Sequence, residues 1–410
     1  MPKYDVAILG TGLAGLFAAE RITRSGKKVV LIDTQDKPGG RSAYLHVSGG
    51  IVPAVPMPGY GFEPGGPFRK LCEEAGISDI PLRMHGEYQV VLPRGRITIY
   101  SSAEATLEEV RREFPQEGDK AARIYQSLGI RLIKASKSRV SAYLLKRRNA
   151  QEYLVSAKIS RELLTFFDVQ SRAFCRRPLS ALRLDTFAFM LANAPQAPVD
   201  GYASLAGRLL DRVVRKGGAY RRENRWPALL HRSKRVTGVQ TADETLESRA
   251  VVLNAIEPEL ERRIALQVPV SALPVEMREV VCCIPGTAGP DELFTLAVGA
   301  EYKGSTERDE RVGITAVFSR GEKTCAGRVP INHIENVIPF LRELGAVADE
   351  DDPRRRTYPL DDIPEPYRKS VAGVTVPRKG VGFKNLYVLP DCISADSLLL
   401  ESLKVIRKLF

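Results

Sequence analysis

The chain lacks any long apolar run. No stretch in its 410 residues approaches the roughly 18 to 20 apolar residues that a membrane-spanning helix needs. The apolar residues 6–19 are interrupted by glycines and preceded by Asp5, which argues against a secretory signal. Repeats and low-complexity tracts are also lacking. We therefore predict a globular, cytoplasmic protein, with peripheral contact to the inner membrane face as the one form of membrane contact open to it.

Cysteine and histidine are scarce, and neither shows the spacing of a redox-active pair or a metal-binding motif. The 6 cysteines show no Cys-x-x-Cys spacing, and a strand would direct the neighbours Cys282 and Cys283 to opposite faces. The 4 histidines form no His-Glu-x-x-His motif or other ligand cluster. We predict reduced, buried thiols and no protein-bound metal.

Positive charge is in excess, with 61 Lys and Arg against 49 Asp and Glu and a formal net charge of +12. The basic residues lie in short clusters such as Lys146-Arg147-Arg148, and no nucleic-acid-binding motif accompanies them. Solvated surface explains most of this charge, and an anionic membrane surface is the candidate partner that remains. We predict no nucleic-acid partner, and no feature of the sequence indicates an oligomeric state.

The N-terminus carries the strongest motif, a strand, a glycine turn and a helix. The sequence predicts a buried strand over residues 4–9 and a helix over residues 16–25. Between them lies a GxGxxG fingerprint: the first glycine permits a tight turn, the second lets a pyrophosphate approach the backbone, and the third lets helix pack on strand. The helix N-terminus then faces the diphosphate. The residues assigned to nucleotide binding are Gly10, Gly12, Leu13, Ala14 and Gly15.

An acidic residue follows at the distance that this fingerprint requires. A second predicted strand, over residues 28–32, is followed by Asp33, about 20 residues beyond the glycines. Its carboxylate is placed to accept hydrogen bonds from both ribose hydroxyls of an adenosine, and it would repel a 2′-phosphate. The alternative is that Asp33 only caps the end of the strand.

The segment after Asp33 carries a resemblance to a known family. It reads Lys37-Pro38-Gly39-Gly40-Arg41-Ser42. With the glycine turn and Asp33 it resembles the extended N-terminal signature of the FAD-dependent amine oxidase and phytoene desaturase superfamily. The resemblance implies FAD as the cofactor, with Gly39 and Gly40 turning the chain beneath the diphosphate and Arg41 lying alongside the cofactor. Ser42 is assigned to the same cofactor site. A surface Gly-Gly loop with an exposed arginine is the alternative.

Residues 62–67 resemble another part of that FAD site. In desaturases and protoporphyrinogen oxidases the similar segment passes close to the flavin ring, which implies that Gly65 and Gly66 admit the ring edge. An ordinary Gly/Pro-rich surface loop over residues 49–67 is the alternative.

The middle of the chain resembles the second FAD segment of the family. Residues 200–214 predict a helix closed by Gly217-Gly218, and strands follow over residues 226–230, 236–239 and 251–255. By that resemblance Trp226, the chain's only tryptophan, lies beside the adenine. The alternative is a core or surface aromatic.

Near the C-terminus, residues 385–391 resemble the last strand of the fold, which delivers Asp391 to the ribityl chain. The sequence departs from the family pattern at Pro390, where the family has glycine. It departs again at Cys392-Ile393-Ser394-Ala395, where the family has glycines that admit the flavin.

The fold class that follows is α/β, with a Rossmann-type FAD-binding domain interleaved with a substrate domain of mixed sheet plus helices. The length favours two domains over one. We assign residues 1–80, 196–265 and 376–410 to the FAD-binding domain, and residues 81–195 and 266–375 to the substrate domain. Strand patterns in the latter cover residues 88–92, 96–100, 293–298 and 313–318. Residues 119–150 predict a basic amphipathic helical stretch that either lies on an anionic bilayer or packs on the protein's own core.

Three functions remain open. The resemblance favours an FAD-dependent oxidoreductase of the desaturase or dehydrogenase type, which transfers hydride from a bulky, apolar, isoprenoid-like small-molecule substrate to flavin N5. An amine oxidase is the first alternative, although no aromatic pair in the C-terminal region suggests the family's substrate cage. A non-redox carrier of prenyl lipids, like the Rab GDP-dissociation inhibitors that share the fold, is the second. No carboxylate or histidine has a spacing that singles it out as a catalytic residue.

Overall fold

A parallel sheet, a helical cluster and an antiparallel sheet make up the described part of the computed structural model. The described residues are 3–40, 44–47, 50–53, 61–62, 66–84, 87–92, 95–100, 102–175, 179–193, 196–198, 201–233, 235–254, 279–285, 293–298, 314–320, 324–330, 356–359 and 385–389. The helices are α1 (Leu13–Arg24), α2 (Pro67–Glu74), α3 (Ala103–Glu113), α4 (Gly118–Lys137), α5 (Arg139–Arg147), α6 (Ala150–Ser156), α7 (Arg161–Cys175), α8 (Leu184–Ala192) and α9 (Gly201–Arg215), with a 3₁₀ turn at Leu179–Ala181.

The described strands fall into one large sheet, one of intermediate size and three two-stranded sheets. In chain order they are β1 (Lys3–Leu9), β2 (Val29–Asp33), β3 (Tyr44–Val47), β4 (Gly50–Pro53), β5 (Leu82–Met84), β6 (Glu87–Leu92), β7 (Gly95–Tyr100), β8 (Gln196–Pro198), β9 (Ala219–Arg222), β10 (Ala228–Arg232), β11 (Arg235–Gln240), β12 (Thr245–Leu253), β13 (Glu279–Pro285), β14 (Leu293–Val298), β15 (Ile314–Arg320), β16 (Thr324–Pro330), β17 (Arg356–Pro359) and β18 (Leu386–Val388).

The large sheet has the Rossmann arrangement. Its parallel strands run in the order β9-β2-β1-β12-β18, and the antiparallel pair β11 and β10 continues from the far end of β12. The strands come from three separate stretches of chain, so β18 near the C-terminus pairs with β12 and β12 pairs with β1. The predicted α/β class with a Rossmann-type domain is confirmed.

The apolar residues of β1 alternate between the two faces of this sheet, as the two-residue period of a strand requires. Val6 and Ile8 face the helices α1, α2 and α9, whose buried residues share their cluster. Ala7 and Leu9 face the opposite side, where the β10–β11 pair and Trp226 cover the sheet. Strand β1 is therefore buried on both faces of the sheet.

A second core lies among α4 to α8 and the β6–β7 hairpin. The rings of Phe166, Phe167 and Phe187 pack together at its centre, with centroids 5.2 and 5.5 Å apart. The remaining sheet is antiparallel in the order β14-β15-β16-β13-β17. Strand β6 runs beside β14, so the helical cluster and this sheet adjoin one another. This arrangement agrees with the predicted mixed-sheet and helical region, whose domain boundaries stay a prediction.

Several element bounds differ from the sequence expectations, and strand β12 covers Thr245–Leu253 rather than residues 251–255. Helix α1 begins at Leu13 rather than at residue 16, because the fingerprint residues themselves form its first turn. Strand β10 begins at Ala228 rather than at residue 226; Pro227, which has no N–H for the ladder, precedes it. The stretch 119–150 is not one helix, because Ser138 ends α4 in extended conformation and caps α5, its hydroxyl accepting from the Ser141 N–H at 3.3 Å.

None of the helices in the described ranges is both long enough and apolar enough to cross a membrane.

Candidate functional site

The glycine turn joins β1 to α1 at the carboxyl edge of the sheet. Gly10 has a φ of 102°, a conformation that favours glycine, and its N–H donates to the Ile32 carbonyl at 2.7 Å. Gly12 caps α1 without a side-chain hydrogen bond, and the first turn of the helix holds no acidic residue. Leu13, Ala14 and Gly15 form that turn. Its backbone N–H groups and the helix dipole suit an anionic group such as a diphosphate.

Gly15 is required by close packing between helix and strand. A Cβ at this position would lie 2.6 Å from the Gly10 carbonyl oxygen and 2.8 Å from Asn254 Nδ2, and a Cβ at Gly12 would lie 2.7 Å from the same nitrogen. The predicted role of the third glycine therefore fits the geometry. The residue that the glycines make room for is Asn254.

Asn254 is a site residue that the sequence analysis did not single out. It follows β12, its N–H donates to the Leu9 carbonyl at 2.8 Å, and its Nδ2 donates to the Gly10 carbonyl at 3.4 Å. The pairing of β12 with β1 places it there, across more than 240 residues of chain. Asn254 could have been identified only from its position at the end of a strand parallel to β1, and that position is known only once the order of the strands in the sheet is known.

Asp33 ends β2 beside the glycine turn, with 3% of its surface exposed. Its Oδ2 accepts the Thr11 N–H at 2.6 Å and also accepts the Thr11 hydroxyl, while its Oδ1 accepts the Gln35 N–H at 3.0 Å. The Asp33 carboxylate therefore holds the glycine turn in place through Thr11. Both predicted roles, ribose acceptor and local cap, draw on the same carboxylate.

The double glycine lies against this turn. Gly39 forms a bridge with Gly12, and its N–H donates to the Thr11 carbonyl at 2.9 Å. Gly40 follows, and a Cβ added to it would lie 3.5 Å from the Gly12 Cα. The structure thus brings the two glycine motifs and Asp33 together at one edge. Arg41 and Ser42 lie outside the described residues.

Charged and aromatic side chains surround the Asp33 end of this edge. Arg222, which pairs in register with Asp33, forms an ion pair with Asp36 at 2.5 Å. Burial, followed by the negative charge of Asp33, raises the pKa of Tyr220, whose hydroxyl donates to the Gln35 carbonyl at 3.4 Å. The Tyr220 hydroxyl is therefore a neutral donor at physiological pH.

The segment predicted to meet the flavin ring is described only at its ends. Gly66 is the N-cap of α2, and Gly61 accepts the N–H groups of Phe68 and Arg69 at 2.9 Å. The Phe62 ring is buried against Phe68, with centroids 4.4 Å apart. The segment therefore enters the core on both sides of the gap. Gly65 lies outside the described residues.

Trp226 is buried in the cluster that covers the sheet face opposite α1, together with Leu9, Ile32 and Leu253. This placement is the one that the core-aromatic alternative predicts. Asp391 lies outside the described residues, although β18, which precedes it, is in the sheet as expected. Among the described residues no three or more His, Cys, Asp or Glu side chains are grouped so as to hold a metal ion.

Comparisons with known proteins agree with this geometry. Residues 8–75 match the model of an NAD(P)-binding Rossmann-like domain. A probable flavin-containing monoamine oxidase A of Dictyostelium discoideum is 30% identical over 93 residues, which are 21% of this chain and 18% of that protein. The aligned part is thus less than a fifth of that relative's length.

Solved structures resemble the whole chain at low identity. A putrescine oxidase with bound putrescine has a TM-score of 0.60 and 14% identity, covering 99% of this chain and 98% of its own. A Rab GDI of Plasmodium falciparum has a TM-score of 0.58 and 12% identity, covering 100% and 97%. At such identities the likeness shows the fold alone.

Residues 8–75 thus resemble an NAD(P)-binding Rossmann-like domain, and the predicted resemblance to the FAD-dependent amine oxidase and phytoene desaturase superfamily is confirmed.

Proposed function

We propose that the chain is an FAD-dependent oxidoreductase whose Rossmann edge holds the ADP half of the cofactor. The observation that carries the proposal is the convergence of a helix N-terminus without a side-chain cap, the Gly10 turn and the buried Asp33 carboxylate at one edge of the sheet. The diphosphate would lie at the first turn of α1, and Asp33 would receive the adenosine ribose. The aligned relatives that carry flavin-containing names support FAD over a nicotinamide dinucleotide.

This chain's own residues would bind and orient the cofactor. Asn254 and Gly15 set the spacing between α1 and the two central strands, and Thr11 fixes the Asp33 carboxylate. FAD, when bound, supplies the acceptor of the substrate's hydride, and the protein aims it. We name no general base, since no described carboxylate or histidine is grouped with this edge in a way that assigns it proton transfer.

For the substrate we propose a bulky apolar molecule oxidised in a dry cavity. An amine is the second candidate, because the matched relative and the putrescine-bound structure carry the names of amine oxidases. The two substrate candidates differ in which compounds would reduce the bound flavin. Anaerobic mixing with amines and, separately, with isoprenoid lipids distinguishes them by loss of the flavin absorbance bands.

The cofactor itself is tested first. The purified protein is expected to be yellow, and acid precipitation is expected to release all of its flavin, because no histidine or cysteine was identified for a covalent link. A colourless protein that does not bind added FAD would refute the proposal and would favour the lipid-carrier function suggested by the Rab GDI likeness.

A further inference from the structure

Exposed apolar side chains are concentrated on two consecutive helices. On α4 and α5, five large apolar residues have between 46% and 67% of their surface exposed. Only two other large hydrophobics among the described residues, Val155 and Val214, are comparably exposed. The five residues are Ile130, Ile133, Val140, Tyr143 and Leu144.

These side chains are not needed to pack the helices. Helix α4 buries Ala121, Ile124 and Leu128, and α5 buries Leu145 against the same core. The exposed positions recur at intervals of three and four residues (130, 133, 134, 137 and then 140, 143, 144, 147), which places them on the opposite side of each helix. Both helices contact each other and α8, so their other sides are already occupied.

The same faces are strongly basic. From residue 120 to residue 151 the sequence contains nine Lys or Arg and no Asp or Glu. Lys134, Lys137, Arg139 and Arg147 are exposed, and none of the four forms an ion pair within the described part of the chain. We call the five apolar residues and these four cations the basic-apolar face.

Arg147 and Tyr143 form an amphipathic pair on this face. The Arg147 guanidinium lies 5.6 Å from the centre of the Tyr143 ring, and it donates to the Tyr143 hydroxyl at 3.2 Å. Each residue presents an apolar body and a polar tip, which suits the boundary between lipid headgroups and acyl chains.

We propose that the basic-apolar face binds the surface of an anionic lipid bilayer. Exposed apolar side chains of two adjoining helices would enter the acyl boundary, while the lysines and arginines on the same faces would meet anionic headgroups. Charge complementarity selects this partner, because a segment with nine Lys or Arg and no Asp or Glu attracts a polyanionic plane. The proposal rests on these helices alone and does not depend on flavin chemistry.

Vesicle flotation tests the proposal with the full chain. We expect flotation with vesicles of phosphatidylcholine plus phosphatidylserine at low salt, and little with phosphatidylcholine alone or at high salt, because the attraction is screened. Lys134→Gln with Lys137→Gln should weaken the partition coefficient roughly fivefold per residue. Val140→Ser with Leu144→Ser should weaken it roughly tenfold or more.

Matched controls lie elsewhere on the surface. Val214→Ser removes a valine from α9 that is 49% exposed, and Arg232→Gln with Arg235→Gln removes two exposed cations from the β10–β11 pair. Both should float like the unmodified chain. The thermal melting of each variant, and its flavin content where the unmodified chain binds flavin, should be unchanged, since all these positions are exposed.

Three results would overturn the proposal. They are absence of flotation with anionic vesicles at low salt, equal flotation with neutral vesicles, and equal losses in the control variants. A dimer in light scattering that Val140→Ser with Leu144→Ser converts to a monomer, without any lipid binding, would instead assign the face to a second copy of the chain.

Discussion

Asp33→Ala tests the site at its most connected residue. The substitution removes an acceptor that is buried and receives the Thr11 N–H, the Thr11 hydroxyl and the Gln35 N–H. Hydrogen bonds to a charged group are worth about 1.5–3 kcal/mol each, but they share one carboxylate whose burial is itself costly, so they do not add. We expect the free energy of unfolding of the apoprotein to fall by about 2–5 kcal/mol.

The same substitution should weaken FAD binding. Loss of about one ribose hydrogen bond to a carboxylate corresponds to a dissociation constant raised by roughly one to two orders of magnitude, since 1.4 kcal/mol is about tenfold. Urea unfolding of the apoprotein and calorimetric titration with FAD measure the two effects separately. Asp33→Asn keeps the size of the side chain and serves where Asp33→Ala does not fold.

Each half of this prediction can be refuted separately. An unchanged dissociation constant would make Asp33 an anchor of the glycine turn and nothing more. An unchanged free energy of unfolding would mean that the contacts to Thr11 and Gln35 do not stabilise the protein. Asp36→Ala should change the free energy of unfolding and the free energy of FAD binding by no more than about 0.5 kcal/mol each, because that carboxylate is at the surface.

Three further predictions concern other positions. Gly15→Ala should lower the free energy of unfolding by about 1–3 kcal/mol and impair FAD binding, because its Cβ would clash with a backbone carbonyl; Gly129→Ala, with open space around it, should be neutral or stabilising in the same urea titration. Trp226→Phe should reduce stability by about 1–3 kcal/mol yet leave the dissociation constant for FAD within about twofold, and a larger loss in calorimetry would place the indole at the adenine. Burial raises the pKa of Glu117, but hydrogen bonds from Ser160 and Lys120 outweigh it and hold that pKa below 4.5. The Glu117 contribution is therefore present above pH 4.5 and is lost as the pH falls, so Glu117→Gln should flatten the acid side of a stability-against-pH curve; an unchanged acid slope would refute this assignment.

The sequence predicted those parts of the fold and site that depend on local chemistry. A strand, a glycine turn and a helix follow one another within residues 3–24, and each is encoded by apolar periodicity or by the freedom of Gly10. The acid at the end of β2 followed from its spacing. Strands β6, β7, β14 and β15 were also predicted, because their alternating or β-branched residues are contiguous in the chain.

Contacts between distant segments could not be predicted in this way. Asn254 reaches the glycine turn only because β12 lies parallel to β1, and no pattern near residue 254 encodes that pairing. The burial of Trp226 depends on the β10–β11 pair covering one sheet face. The break at Ser138 was missed because its neighbours are apolar and basic at helical spacing on both sides, and only the cap geometry separates α4 from α5.

The hydrogen bonds of Asp33 indicate how a nucleotide would enter the site. A carboxylate offers about four acceptor positions, and three are used by protein donors, so one on Oδ1 is left for a ribose hydroxyl. A second ribose hydroxyl would need a position on Oδ2. Of the two groups there, the Thr11 N–H is fixed by the backbone, whereas the Thr11 hydroxyl can rotate away. Nucleotide binding would then exchange one hydroxyl donor for another at Oδ2 and add a new bond only at Oδ1, so we infer that the gain from Asp33 lies nearer to one charged hydrogen bond than to two.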